Sequence, residues 1–391
     1  MLQLPIYLDY NSTTPCDSRV LEEMLPYFKD KFGNPASKSH AFGWQAEEAV
    51  DLAREQVADL IGAETNEIVF TSGATEANNL ALKGVFEMFA SKGNHIITCN
   101  IEHKAVLDTC KHLEKLGAEV TYLSVDSNGL ISPQQVEEAV QPNTILIAMM
   151  YANNEIGTVM PVRKIGAVAR KHKVLFFTDA TQAVGKIPVN VNDDNIDLMS
   201  FSSHKIYGPK GVGTLYVRRK NPRAKLTAQM DGGGHEKGMR SGTLNVPGIV
   251  GFGKACEISK QQMQADAKSL AKLRDKMENA LLNLNGVYVN GSKEHRLPNV
   301  SNLSFKNVEG QALMMSINKN IALSSGSACT SASLEPSYVL KALGLNDELA
   351  HSSIRFSLGR YTTEEEIDYI IEQVSKSIVQ LREMNQVAID K

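Results

Sequence analysis

The amino-acid sequence predicts an α/β protein: a mainly parallel sheet with helices on both faces, joined to a smaller α+β unit. Three observations lead there. Short apolar runs such as Ile145–Tyr151 and Val174–Thr178 alternate with helical patterns between Ile68 and Val217, the spacing of a sheet built from strand–helix units. Several of these runs end in polar or glycine-rich segments, at the edge where α/β sheets bind ligands. Beyond Val246 the pattern changes to long charged helices and short strands.

Composition sets the bounds. The 391 residues are ample for two domains that share an interface. Apolar content of 42% and charged content of 22% describe an ordinary globular protein. A net charge of -3 without a basic block gives no reason to expect direct nucleic-acid binding. The longest apolar run, Thr144 to Ala152, is too short to span a bilayer, so no membrane role is expected. The segment Met-Leu-Gln-Leu-Pro-Ile-Tyr has no charged or amphipathic leader character, which fits a cytoplasmic address; a processed organellar protein would read the same way. Five cysteines, Cys16, Cys99, Cys110, Cys256 and Cys329, lack CxxC spacing. That argues against a disulfide framework or structural zinc and for a reducing compartment. Four of them have apolar or helical neighbours and read as small core residues.

In chain order, Asp9-Tyr10-Asn11-Ser12-Thr13-Thr14-Pro15 is a polar turn after a short strand, and Phe32–Ser37 is a second Gly/Pro loop. From Trp44 to Ile61, Ala46, Val50, Ala53, Val57 and Leu60 recur at helical spacing, and Gly62 is the expected C-cap. Ile68–Thr71 is a strand that runs through Ser72-Gly-Ala-Thr-Glu76 into a helix. Two readings are open there: a side-chain-capped helix, or an anion site that uses the free N–H groups of the helix start. His95–Thr98 is the next strand, and Glu102-His103-Lys104 opens the following helix. Strands follow at Glu119–Val125 and Ile145–Tyr151, the latter ending in Ala152-Asn153-Asn154-Glu155. Pro161 marks another helix start. Gly213–Val217 reads as an edge strand. Glycines 232–234 and Arg240-Ser-Gly-Thr243 form a long loop of the kind that is functional or lies at an interface. Short strands near Val287, Val300–Phe305, Ile321–Leu323 and Ile354–Ser357 precede a final helix whose Thr363-Glu-Glu-Glu366 start is a capping sequence.

The chemistry lies at two strand ends. Ile196-Asp-Leu-Met199 runs into Ser200-Phe-Ser-Ser-His-Lys205, and Val174–Thr178 runs into Asp179-Ala-Thr-Gln182. A lysine at the end of a buried strand can lose its proton and form a Schiff base. Ser202, Ser203 and His204 are small donors suited to a phosphate. A carboxylate at Asp179 can hold a pyridinium nitrogen protonated. Pyridoxal 5'-phosphate is therefore the cofactor to test. Separately, Ser324-Ser-Gly-Ser-Ala-Cys-Thr-Ser-Ala-Ser333 has too few apolar residues to hold one conformation, so a mobile segment is expected around Cys329.

Asp179–Gln182, Ser202–Lys205, Ser72–Glu76 and Ser324–Ser331 together resemble the cysteine desulfurases, pyridoxal-phosphate enzymes of the class V aminotransferase group. The likeness runs from about Leu4 to about Arg382 and is nearest to the bacterial housekeeping type that supplies iron–sulfur assembly. It implies the PLP-dependent transferase fold type I: a mainly parallel seven-stranded sheet, a large domain over 18–262, and a small domain from 1–17 and 263–391. It implies removal of sulfur from L-cysteine, giving L-alanine and a persulfide on Cys329, passed to acceptors for iron–sulfur assembly and tRNA thiolation.

The same resemblance assigns sites. Lys205, His103 and Cys329 are catalytic; Ala74, Thr75, His103, Asn154, Asp179, Gln182, Ser202, Ser203, His204, Lys205 and Thr243 hold the cofactor; Asn154 and Arg355 hold the substrate. Gln182 is placed against the ring's phenolic oxygen, and Thr243 serves the neighbouring subunit of a homodimer. An iron–sulfur scaffold protein is the expected partner. No structural metal is implied, and Cys329 is the residue able to ligate a shared iron–sulfur cluster transiently. The relatives carry a longer C-terminal tail that contacts the scaffold, a departure that bears on docking by that route. The alternatives are a selenocysteine lyase or a class V aminotransferase, and, from a different class, an inactive partner-binding subunit. An aminotransferase has no use for Cys329, and an inactive subunit has none for intact Asp179, Lys205 and Cys329.

Overall fold

A computed structural model describes residues 2–325 and 335–389. Cys329 and most of its small-residue segment lie outside the described residues. The chain opens with β1 (Ile6–Tyr7), α1 (Ser18–Met24), α2 (Pro26–Lys29) and α3 (Ala41–Ile61). On α3 the expected face is buried, and Gly62 closes the helix at φ 70, a left-handed cap that glycine adopts without a Cβ clash.

Next come β2 (Ile68–Thr71), α4 (Ala74–Met88), β3 (His95–Cys99), α5 (Lys104–Glu114), β4 (Glu119–Leu123) and α6 (Pro133–Glu138). They are followed by β5 (Thr144–Ala148), α7 (Val162–His172), β6 (Leu175–Asp179), β7 (Leu198–Ser202) and β8 (Gly213–Val217). The seven strands form one sheet in the order β2-β8-β7-β6-β5-β3-β4. Strands β3 to β7 pair in parallel, whereas β8 runs antiparallel to both β2 and β7.

The period of two explains why these strands read as unbroken apolar runs. Val69, Ile96, Leu146, Phe177 and Leu215 pack on one face with Leu80 and Val85 of α4 and Val106 of α5. Phe70, Ile97, Ile147, Phe176 and Tyr216 pack on the other with Val50 and Val57 of α3. A sheet covered on both sides needs apolar residues at every position.

The expectation that Gly213–Val217 is an edge strand is not met. All five residues of β8 are buried, and β2 pairs along its outer side from Ile68↔Tyr216 to Thr71↔Gly213. That pairing is set by a strand far earlier in the chain, so no local pattern reveals it. Without β2, the outer N–H and C=O groups of β8 would face no partner.

One helix, α8 (Val246–Leu282), runs unbroken for 37 residues. Val246 to Ile258 pack with the α3 side of the sheet, while Leu270, Leu273, Met277 and Leu281 join a separate cluster. That cluster is built from Ile6, Leu8 and the last third of the chain: β9 (Val287–Val289), β10 (Val300–Phe305), α9 (Gly310–Ile317), β11 (Ile321–Ala322), β12 (Ser324–Ser325), α10 (Tyr338–Ala342), α11 (Asp347–His351), β13 (Ser353–Ser357) and α12 (Glu364–Ile389). A four-stranded antiparallel sheet, β12-β13-β10-β9, carries it, and β1 pairs with β11. Val339, Leu340 and Leu343 instead pack on the large core, tying α10 to the seven-stranded unit. At α12 the expected capping pair forms: Glu366 N donates to Thr363 Oγ1 at 3.2 Å and Thr363 N to Glu366 Oε2 at 2.8 Å. No helix among the described residues is long and apolar enough to cross a membrane.

Candidate active site

Parallel strands that end side by side project their last residues into one space. Asp179 ends β6 and pairs in register with Ser200 of β7, which runs on into the short turn Ser203–Lys205. Beside them lies a cavity of ≈ 530 Å³, lined among others by Thr75, His103, Asn154, Gln182, Lys205 and Arg355. Ala74, Asp179, Ser202 and His204 also line it. Ser203 does not: it is fully buried, its N–H bonds Val212, and its side chain lies against Gly208. Thr243 is exposed and is not among the residues lining this cavity.

Each side chain is held by named partners. Lys205 Nζ donates to the carbonyls of Asn11 at 2.7 Å and Ser12 at 2.6 Å, so the polar turn after β1 cradles it. Asp179 accepts from Asn78 Nδ2 at 2.8 Å and from the Thr181 N–H at 3.0 Å. Asn78 in turn accepts from the Ser200 hydroxyl, which locks the carboxylate to both strands. Arg355, at the middle of β13, is 1% exposed. Its guanidinium donates to Asn154 O at 3.0 Å, Asp9 Oδ1 at 2.6 Å and Ser12 Oγ at 2.8 Å. Its Nε has no partner among the described residues.

His103 both caps a helix and faces the cavity. As N-cap of α5 its Nδ1 accepts from the Ala105 N–H at 3.1 Å, while the ring lines the cavity. Burial lowers its pKa, so the ring is neutral at pH 7, and with Nδ1 accepting, the proton sits on Nε2. His204 is pushed down to about 4 by burial and then by Lys205 and Lys210, and pairs with the Thr13 hydroxyl at 3.1 Å.

The start of α4 decides between the two readings of Ser72–Glu76. Gly73 is the N-cap and no side chain caps the helix, so its first N–H groups are left for an anion. The turn also needs room: a Cβ on Gly213 would lie 2.7 Å from Gly73 Cα. An uncapped helix start, a lysine and a fixed carboxylate around one cavity are a donor set that fits pyridoxal phosphate. Among the described residues no cluster is suited to hold a metal ion.

Several participants escaped the sequence reading. Asn11 and Asn78 are fully buried amides; Lys186 donates to Gln182 and Asn11. Glu102 is buried next to His103 and is pushed up to about 8, chiefly by burial. The one signal in the sequence was an asparagine on the apolar face of α4, between Ala77 and Leu82. Of the described cysteines, Cys99, Cys110 and Cys256 are buried as expected, whereas Cys16 is exposed, in a polar turn that has no apolar face to pack.

The described residues on either side of 326–334 have partners that line this cavity or adjoin residues that line it. Ser324 pairs with Arg355 across β12 and β13. On the far side, the Ser337 hydroxyl donates to the Glu155 carboxylate at 2.5 Å and Tyr338 OH to Glu102 O at 2.6 Å.

Comparisons with known proteins agree with this geometry. The family model described as Aminotransferase class-V matches residues 6–370. Cysteine desulfurase IscS of Pectobacterium carotovorum is 60% identical over 386 residues, 98% of this chain and 95% of that protein. The protein of the same name from Escherichia coli is 58% identical with the same coverage. Among solved structures, a NifS-like protein superposes with a TM-score of 0.89 at 40% identity, covering 95% of this chain and 99% of its own. A structure described as SspA in complex with cysteine gives 0.80 at 42% identity, covering 92% and 100%.

Proposed function

This chain belongs to the class V aminotransferase family, within which it is a pyridoxal-phosphate-dependent cysteine desulfurase of the housekeeping iron–sulfur type, and on that premise we propose roles for its residues. The observation that carries the reading is the pair of neighbouring strand ends, Asp179 and Lys205, facing the uncapped start of α4 across one cavity. When bound, pyridoxal phosphate supplies an electron sink for the pair left by removal of the substrate's α-proton. Lys205 would hold the cofactor through its amine and, with that amine free, would take the α-proton. Asp179, immobilised by Asn78, keeps the ring nitrogen protonated. Gln182 donates to the phenolic oxygen. Gly73, Ala74 and Thr75 receive the phosphate with Ser202 and His204, and Thr243 of a second copy of the chain completes it.

Arg355 and Asn154 hold the carboxylate of L-cysteine. Arg355 already spends both Nη2 hydrogens on Asp9 and Ser12, so the substrate carboxylate must take over from Asp9 or use the remaining N–H groups. The Cys329 thiolate attacks the substrate sulfur: an S–S bond forms, the C–S bond breaks, and its electron pair stays with carbon to be protonated. His103, neutral with its proton on Nε2, is placed to deliver that proton. Support for Cys329 is that the described residues flanking 326–334 include Ser324, paired with Arg355, and Ser337, bonded to Glu155.

We further propose the division of domains at 262/263, supported by the change of core partner along α8 between Ile258 and Leu270. A homodimer, a cytoplasmic address and transfer of sulfur to an iron–sulfur scaffold and other acceptors complete the reading. Lys205→Ala should retain unlinked cofactor but lose turnover. Cys329→Ser should bind cofactor and L-cysteine, with the same spectral change, yet form no persulfide and release no sulfide. Mass spectrometry for one added sulfur on the Cys329 peptide is the check; wild-type desulfuration by Cys329→Ser overturns the carrier assignment.

A further inference from the structure

The role given above to Gln182, donor to the cofactor's phenolic oxygen, is the reading on which this inference rests. A glutamine amide has two ends of nearly the same shape, one a donor and one an acceptor, and shape alone does not keep the donor toward a ligand. The surroundings of Gln182 do. Lys186 Nζ lies 2.6 Å from Gln182 Oε1 and donates a second bond to Asn11 Oδ1 at 3.2 Å. On the other side, Gln182 Nε2 donates to the Asn11 carbonyl at 3.0 Å.

A flipped amide would set its oxygen against that carbonyl and its NH₂ against an amine, replacing two hydrogen bonds by two unfavourable contacts. Burial, followed by the charges of Lys205 and Arg355, lowers the pKa of Lys186 well below its usual range. A neutral amine still donates to Oε1, so in either protonation state Lys186 adds to the hold of the Asn11 carbonyl, and without Lys186 only that one contact favours the observed orientation. Asn11 is itself fixed: its N–H donates to Ser357 Oγ at 3.0 Å and its Nδ2 to Asn154 O at 3.0 Å, and Oδ1 accepts from Asn299 at 3.1 Å. One Nε2 hydrogen of Gln182 is thus used by Asn11, and the other belongs to a side chain that lines the cavity.

We propose that Lys186 is a positioning residue: by occupying Gln182 Oε1 it commits the amide to present an N–H to the cavity, and so lowers the basicity of the bound cofactor's phenolic oxygen. The charged groups that act on this amine are Lys205 and Arg355, the latter paired with Asp9. A donor at that oxygen stabilises its anionic form, so losing the donor moves the cofactor's ionisation to higher pH.

The test is a pH titration of the visible absorbance of the holoenzyme, without substrate, for wild type, Lys186→Met, Lys186→Gln and Gln182→Ala. The expected result is a rise of the spectral midpoint by about one pH unit in Gln182→Ala and Lys186→Met, with return toward wild type in Lys186→Gln, which restores a donor without a charge. If Gln182→Ala shifts the midpoint and Lys186→Met does not, the positioning role is overturned while the cofactor reading stands. An unshifted Gln182→Ala overturns the reading of Gln182 itself. If Lys186→Gln shifts as far as Lys186→Met, the amine's charge and not its hydrogen bond is at work, and the proposal falls. Should Lys186→Met not accumulate as folded holoenzyme, Lys186→Gln decides alone: a wild-type midpoint supports the proposal and the Gln182→Ala midpoint refutes it.

Discussion

Burying a carboxyl group favours its neutral form, because the charge loses its water and gains little in return. Glu102 is in that position, 1% exposed, with the Met150 N–H at 2.5 Å and the Cys99 thiol at 3.4 Å from Oε1. Burial first, opposed by the Met150 N–H and helped by the charge of Asp179, moves its pKa from 4.5 to about 8. A folded-state pKa above the unfolded value means that the group's contribution is fully present below pH 4.5 and is lost as the pH rises toward 8. Glu102→Gln copies the neutral form without the titration. The variant should match wild type near pH 4 and become the more stable protein by pH 8, by on the order of 4 kcal/mol, read as a widening gap between thermal midpoints. A gap that stays constant with pH would show that Glu102 is already ionised in the fold. The residue also marks the limit of sequence reading. Lys205, Asp179 and Gln182 were legible because each follows an apolar strand, where a polar side chain has an obvious reason to be. Glu102, Lys186 and Asn11 act through partners distant in sequence, and nothing in their own neighbourhood distinguishes them from solvated residues.

The elements that hold the site were legible in proportion to how local their causes are. The helix face on α3, the Gly62 cap and the Thr363 capping box are decided within a few residues, and all three form as the pattern implies. The interior place of β8 and the continuity of α8 are decided by partners elsewhere in the chain, and the pattern missed them. At β8 the consequence reaches the site, because Gly213 faces the turn that starts α4. A methyl group there would sit 2.7 Å from Gly73 Cα and 2.8 Å from Phe201 O, both backbone atoms. Overpacking of that kind costs about 1–3 kcal/mol, and the atom free to yield belongs to the anion-binding turn. Gly213→Ala should therefore keep its far-UV circular dichroism while its affinity for pyridoxal phosphate falls roughly tenfold, the equivalent of about 1.4 kcal/mol. Unchanged affinity in equilibrium dialysis would mean that the sheet, not the turn, absorbs the methyl group.

On the scale of the whole molecule, the proposed homodimer would complete a site to which one chain contributes most of the residues. Exposed apolar side chains occur on α2, on α3 and in the segment between them, with Phe28 63%, Phe32 66%, Trp44 56% and Leu52 54% accessible, and contiguous exposed apolar surface marks interaction sites. They support a second copy of the chain as the covering partner. The loop that would cross to it is anchored at its base: Arg240 donates to Glu76 Oε1 at 2.8 Å, and Glu76 accepts from the Ser72 N–H of the anion-binding turn at 2.8 Å. Deleting that loop would therefore disturb the chain's own site, and a point change beyond the anchor is the sharper probe. Thr243→Asp places a carboxylate where a partner's phosphate would lie, and like charges at that range repel. Alone, it should lose the cofactor; alone, Lys205→Ala should lose turnover. Refolded together in equal amounts, the two chains pair at random, and each mixed dimer has one site with an intact Lys205 and a partner's intact Thr243. Half the dimers are then mixed, with one working site in two, so alanine release should return to about a quarter of wild type. If Thr243 serves the site of its own chain, every mixed site carries one of the two lesions, and the mixture stays inactive.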